Sequence, residues 1–548
     1  MRRLTILFCM VYLASQPFGL HAQTPTWGMY NGNAQHDGVS TVPLQTLNVV
    51  KWSTPVDLQP QYNNNDLLIH YGSPLATAGN TIVVPVKTGA TGNFQVEGRQ
   101  GYDGSLLWTQ TTDYITPPSL WTPSYAPSIT PQNRLYFSGE GGTIFYRDDL
   151  NSTTTVANPN RLAFYDVANY ASSPAAAAAA RANVFINTPI TSDAFGNIFF
   201  GFQVTGTSAV TIGNVTLQPG GGIGRISNTG VGSYVQASTA AGDAAIKKVV
   251  TNAAPALSPD GSTVYVPVTN ASGFGSGYLV SLDSSNLNTT GKVALKDVKT
   301  GNGAILPDIG SASPMVAPNG DVYYGVLENP FSNSKGWMLH FDSTLATTKI
   351  PSRFGWDNTA SIVDKSLVAS YTGNSPYLIM TKYNNYASTG GDGVNKLGIF
   401  DPFVSEIDPL SGQSVMKEIM SIAGVTPDPT LPAVREWCIN SAAVDPFHKS
   451  ILVNSEDGKS YVWDLTTNTL VQAITLTPGI GEAYTPTMIG PDGTGYAINN
   501  GILFAMAATA VPEPGTVALA MVGLAAGGFT WWSRCRRQRQ LANADLQG

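Results

Sequence analysis

The sequence predicts an all-β fold, an eight-bladed β-propeller, flanked by an N-terminal signal peptide and a single C-terminal transmembrane helix. Three observations lead there. A motif of a small residue and proline, a short apolar stretch, a turn and an alternating β run returns along the body of the chain. Most of its turns carry Asn-Gly, Asp-Gly or Gly-Asn, the pairs that two-residue hairpins require. Charged residues are only 12% of the chain while Gly (56) and Pro (36) abound, a composition for short strands and tight turns rather than long amphipathic helices.

The N-terminus comes first. Arg2 and Arg3 precede an apolar run from Leu4 to Ala14, which is too short to span a membrane, and Pro17 and Gly19 break it. Residues 1–22 read as a signal peptide cleaved after Ala22.

The body, residues 23–505, is the propeller. Six copies of the motif begin at Ser73-Pro74, Ala126-Pro127, Thr188-Pro189, Ala254-Pro255, Ser313-Pro314 and Thr485-Pro486. Two weaker copies, from Thr359-Ala360 and Ser441-Ala442, lack the proline. After several β runs comes a second strand ending in Asp and a turn, as at Asp283, Asp342, Asp408 and Asp464. Each repeat is therefore a small antiparallel sheet, and such sheets cannot bury both faces alone, so they pack radially as blades.

Two stretches interrupt the pattern. Residues 151–185 hold Ala175–Ala180 after Pro174, a short helix inserted between blades, and residues 381–401 form a long Gly-rich loop. Gly220–Gly222 with Gly224 lacks the Lys-Ser/Thr of a phosphate loop and reads as a blade connection.

With these residues in view, the repeats resemble the PQQ-like, or quinoprotein dehydrogenase-like, eight-bladed propellers. Trp27-Gly28-Met29-Tyr30-Asn31-Gly32 through Gly38 matches their lead-in motif, and Asp103-Gly104 with Trp108 matches the blade ending in which a Trp docks between neighbours. The resemblance implies that the chain ends meet in one blade, with residues 27–55 near 485–505. It also raises a quinone cofactor, but such dehydrogenases carry an adjacent Cys pair. Here Cys438 is the one cysteine between the two terminal segments, in a Trp-Cys-Ile context that reads as a buried strand. No PQQ and no other cofactor is expected.

Other chemistry is sparse. Asp392, Asn395 and Asp401 offer hard oxygen ligands in a Gly-rich loop, as Ca²⁺ prefers. Asp-Gly-x-Asn is also ordinary turn chemistry, so a Ca²⁺ site and a plain turn both stay open. The five His lie apart and pair with no Cys, which argues against zinc, and His36 and His70 read as turn or surface residues. No nucleophile elbow is present, and no catalytic residue is assigned. Without the six terminal arginines and Asp545 of the tail, the chain has 23 basic and 35 acidic residues. That acidic balance argues against nucleic acid as a partner.

The C-terminus is a compound signal. Residues 506–514 form a linker ending in Pro512-Glu513-Pro514. Residues 515–533 are an uncharged, mostly apolar span ending in Trp531-Trp532-Ser533, and residues 534–548 carry Arg534, Arg536, Arg537 and Arg539. The span is long enough to cross roughly 30 Å of hydrocarbon, and the arginines would stay cytoplasmic. Triplet, span and cluster resemble the PEP-CTERM sorting tail of bacterial surface proteins, which an exosortase-type membrane protease recognises. The resemblance implies an exported cell-envelope protein, anchored in the membrane before sorting, whose propeller is a non-catalytic binding or scaffold module for extracellular polysaccharide. The alternative is a divergent propeller enzyme (hydrolase, lyase or oxidoreductase) with its site over the central channel. Acidic side chains facing that channel would favour the enzyme.

Overall fold

The computed structural model describes residues 26–509, apart from 64–65, 69–71, 91, 118–123, 155, 157–158, 272, 309, 332–334 and 479–484. Contacts divide the chain into Met1–Ala507 and Ala508–Gly548, and the second unit lies almost wholly outside the described residues.

Eight antiparallel sheets follow one another in sequence, and each predicted motif supplies the innermost strand of one blade. These strands are Leu75–Ala76, Ser128–Ile129, Thr191–Ser192, Ala256–Leu257, Met315–Val316, Ser361–Val363, Ala443–Asp445 and Met488–Ile489. The turn to the second strand holds a residue at positive φ in most blades, among them Asn80, Asn133, Gly196, Gly261, Gly320 and Gly493. This backbone conformation is the one Asn-Gly, Asp-Gly and Gly-Asn supply.

Burial follows position in the blade. Second strands such as Thr81–Lys87, Val322–Val326 and Ser450–Asn454 are buried at every residue, because neighbouring blades cover both faces. The outer strand Thr469–Thr475 alternates between exposed and partly buried residues. The Asp that ends a third strand caps its turn: Asp283, Asp342 and Asp464 each accept from a backbone N–H two residues on.

The ring closes as the resemblance implies. Val49–Pro55 pairs antiparallel with Ile502–Ala507 and becomes the outer strand of blade 8. Trp52 from that strand donates to the Gly101 carbonyl of blade 1 at 2.9 Å. Trp108 of blade 1 docks on blade 2, donating to Leu150 at 2.8 Å with the Arg147 guanidinium over its ring.

Several readings change. Gly220–Ile226 is not a connection but the third strand of blade 3. A Cβ at Gly221 would sit 2.1 Å from the Phe202 carbonyl, and one at Gly224 would sit 2.7 Å from the Phe200 ring, so the glycines serve close packing within the sheet. Cys438 is buried, but in an irregular segment between blades 6 and 7 rather than a strand. Blade 5 has three regular strands instead of four, its outer edge being covered by bridges from Thr348 and Ser352. The predicted insert forms two helices, Val167–Tyr170 and Pro174–Asn183, the second capped by Ser173. The long loop is residues 384–395, joining two strands of blade 6.

Candidate functional site

The lead-in segment runs across the axis of the ring, and a cleft of about 260 Å³ opens beside it between residues 28–35 and the inner strands of blades 2 to 4. Backbone hydrogen bonds tie the lead-in segment in turn to the inner strand or first turn of seven blades. Trp27 bonds Ala76, Gly28 bonds Ile129, Ala34 bonds Leu257 and Gln35 bonds Val316. Asp37 bonds Ile362, Gly38 bonds Val444 and Gln45 bonds Gly493. A segment this short reaches seven blades only by lying across the axis.

Its side chains occupy the space between the blades. Trp27, Tyr30, Asn31 and His36 are all buried. The Tyr30 hydroxyl reaches Ser311 O at 3.3 Å and Thr359 Oγ1 at 3.0 Å, and burial pushes its pKa up. His36 meets the Tyr30 ring edge-on and bonds the Pro314 carbonyl through Nδ1 at 2.7 Å. Because a carbonyl only accepts, Nδ1 carries the hydrogen. Nε2 is buried with no hydrogen-bond partner, and burial pulls the imidazole pKa down to about 4. His36 is therefore a turn residue, its N–H bonded to the Asn33 carbonyl, but a buried one and not a surface histidine, while His70 lies outside the described residues.

A belt of cross-blade hydrogen bonds surrounds this plug. Ile190 N–H donates to Ala126 O, Asn252 N–H to Asn187 O, Ala254 N–H to Ser313 Oγ, and Ser313 N–H to Thr359 Oγ1. Thr359 N–H donates to Asn440 O and Ala443 N–H to Thr487 Oγ1. The small polar residues of the repeated motif thus join blades 2 to 8. Beside the belt, Asp357 accepts from the Ser311 backbone at 2.6 Å, and burial raises its pKa against the opposing charge of Lys382. Two buried ion pairs lie at blade junctions, Lys87–Asp57 at 3.0 Å and Lys248–Asp308 at 2.7 Å.

A cleft of about 260 Å³ lies where blades 5 and 6 meet. Its charged lining is balanced: Asp297, Glu328 and Asp408 against Lys299, Lys335 and Arg353. Asp408 Oδ2 accepts from the Ser411 backbone and hydroxyl, which fixes the hairpin of blade 6. Its Oδ1 is buried without a hydrogen-bond partner, 3.8 Å from Arg353. Arg353 is held by Glu406 and Glu418, yet its Nε is also buried and unpartnered. Asp408 stood out in the sequence as a strand-ending turn residue, whereas Arg353, Lys335 and Glu328 carried no local signal.

Of the residues singled out beforehand, Pro512, Glu513, Pro514, Arg534, Arg536, Arg537 and Arg539 lie outside the described residues. Asp392 accepts from the Val394 backbone in the long loop. Asn395 accepts from the Asn385 N–H and donates to the Val434 carbonyl. Asp401 sits six residues along an extended strand, about 20 Å from Asn395 at the usual rise, where it accepts from Tyr371 and Ser375. The structure does not bring the three to one point. Among the described residues no group of three or more His, Cys, Asp or Glu is placed to hold a metal. Nor is any helix among them long and apolar enough to cross a membrane, and the apolar span lies outside them.

Residues 510–537 match the PEP-CTERM protein-sorting motif. The chain is thereby an exported cell-envelope protein that carries a signal for an exosortase-type system, joined to an eight-bladed propeller. No curated protein matches the chain. Among solved structures it is similar to the quinohemoprotein alcohol dehydrogenase from Comamonas testosteroni, at 12% identity over 90% of this chain and 82% of that one, with a TM-score of 0.49. A europium-containing methanol dehydrogenase is 12% identical over 88% and 91% of the two chains, with a TM-score of 0.44. BamB from Moraxella catarrhalis is 12% identical over 84% and 99%, with a TM-score of 0.42. The number of blades rests on the eight sheets themselves.

Proposed function

We propose that the propeller is a non-catalytic binding module of the cell envelope, delivered and released by the sorting tail, with extracellular polysaccharide as its partner. The observation that carries this reading is the lead-in segment laid across the axis, with Trp27, Tyr30, Asn31 and His36 buried there. In a propeller enzyme of the kind the sequence resembles, chemistry would sit over the channel. Here Tyr30, Asn31 and His36 occupy that space, and the belt of blade-to-blade hydrogen bonds closes around them. The buried charges nearby are paired or hydrogen-bonded within the protein, as structural charges are.

In this reading residues 1–22 direct export, residues 515–533 span the membrane, and the arginines behind them hold the tail in the cytoplasm until the Pro-Glu-Pro segment is engaged. Cell fractionation with intact-mass analysis, in the native host and in a strain lacking the sorting protease, tests it. A mature C-terminus near Pro514 in the native host alone is the expected result. An uncut tail in both strains would make the segment a plain anchor and remove the main support for a polysaccharide partner.

A further inference from the structure

Arg353 ties blade 5 to blade 6 through Glu406 and Glu418, yet the cleft between those blades leaves two of its buried polar atoms without a hydrogen bond. We infer that this cleft binds a neutral, polyhydroxylated sugar unit through Asp408 Oδ1 and Arg353 Nε, two buried polar atoms without a hydrogen bond on residues that line a cleft of suitable size. The inference rests on the polysaccharide reading above and gives it a place and a ligand chemistry.

The argument is one of charge and hydrogen-bond type. Asp408 Oδ1 and the Arg353 guanidinium attract each other across 3.8 Å, but a buried acceptor and a buried donor that lack a hydrogen bond still cost free energy unless something supplies it. A ligand that satisfies both must donate to a carboxylate oxygen and accept from a guanidinium nitrogen. A hydroxyl does both, and a vicinal diol does so with two adjacent groups. An anionic ligand would meet Asp297, Glu328 and Asp408, and a cationic one would meet Lys299, Lys335 and Arg353. With three charges of each sign, the lining disfavours either in comparison with a neutral ligand.

The mouth adds the second half of the chemistry. Leu410, which lines the cleft, is 53% exposed, and Phe331, next to the lining residue Pro330, is 54% exposed. A sugar ring has polar edges and an apolar C–H face, and apolar side chains at a rim with charged groups below suit such a body. The volume of about 260 Å³ admits one or two sugar rings, not a long chain segment.

Saturation-transfer NMR on the full-length protein tests this, with maltotetraose, cellotetraose and mannotriose as neutral probes and tetragalacturonate as the anionic one. The expected result is transfer to a neutral oligosaccharide and not to the galacturonate. Asp408→Asn should weaken that binding by about tenfold, the scale of one lost hydrogen bond to a charged group, and Leu410→Asp by about the same factor through the lost apolar contact at the mouth. Leu410 is exposed, so its variant keeps the fold even if Asp408→Asn disturbs its hairpin. Neutral-glycan binding untouched by either variant would overturn the cleft assignment while leaving the polysaccharide reading standing. Preference for the galacturonate, lost in both variants, would overturn the neutrality of the site. Binding of no probe, and of no polysaccharide purified from the host, would overturn both readings.

Discussion

Tyr30 and Thr359 are 329 residues apart in sequence, and their hydroxyl groups lie 3.0 Å apart on the axis of the ring. One belongs to the segment that precedes the first blade and the other to the belt that joins blade 5 to blade 6. The lead-in peptide is thus a structural part of the propeller and not a leader to it.

Tyr30→Phe keeps the ring and its edge-on contact with His36 but removes the hydroxyl, leaving Thr359 and Ser311 each one partner short. The expected loss is about 1–2 kcal/mol, read as a lower denaturant midpoint at unchanged slope.

Burial keeps His36 neutral, with a pKa near 4 against 6.5 for a free imidazole. The unfolded chain therefore binds more protons than the folded one between those values. Stability conferred by His36 is full above pH 6.5, falls as the pH drops towards 4, and is level below that. The total is about 3 kcal/mol. His36 has φ of +59°, a conformation that Asn also tolerates. His36→Asn should flatten this part of the pH–stability profile measured by chemical denaturation, and an unchanged profile would show that other groups set it.

Lys87 and Asp57 have fully buried side chains and connect the end of blade 8's outer strand to blade 1. Lys87→Met strands a buried carboxylate and should cost about 3–5 kcal/mol, whereas adding Asp57→Leu should recover most of the loss. A double-mutant cycle by chemical denaturation reads the difference, and equal losses in the single and double variants would rule out a paired role.

Cys438 is 1% exposed. In a protein carrying Cys9→Ser and Cys535→Ser, it should resist a thiol reagent such as DTNB until the propeller is denatured. Rapid labelling of the folded protein would mean that the segment between blades 6 and 7 opens readily.

Much of the fold was legible in the sequence because each blade repeats the same local problem. A strand, a left-handed turn and a second strand buried on both faces need the same residue types each time, so all eight innermost strands fall on the predicted motifs. Even the copies without proline, at Thr359 and Ser441, keep the hydroxyl that bonds to a neighbouring blade. What could not be read was anything set by the third dimension. His36 and Tyr30 look like turn residues locally, and only ring closure places them on the axis. The glycines at 220–224 resemble a loop by composition but answer to close strand packing. Arg353 and Asp408 are 55 positions apart, and no periodicity links them. The Asp392, Asn395 and Asp401 spacing looked compact until an extended strand separated its members.

The last strand of the propeller has a mechanical consequence. Ile502–Ala507 leads into the tail, and it is not an edge strand. It is held by six residue pairs against Val49–Pro55 on one side and five against Gly495–Asn499 on the other. An edge strand under tension peels away one hydrogen bond at a time. This one can leave only by breaking two ladders together, and one of those ladders is formed by the N-terminal end of the same ring. Drag on a propeller tethered by its tail is therefore borne at the seam where the ring is fastened, so the closure that completes the fold also serves as its mooring.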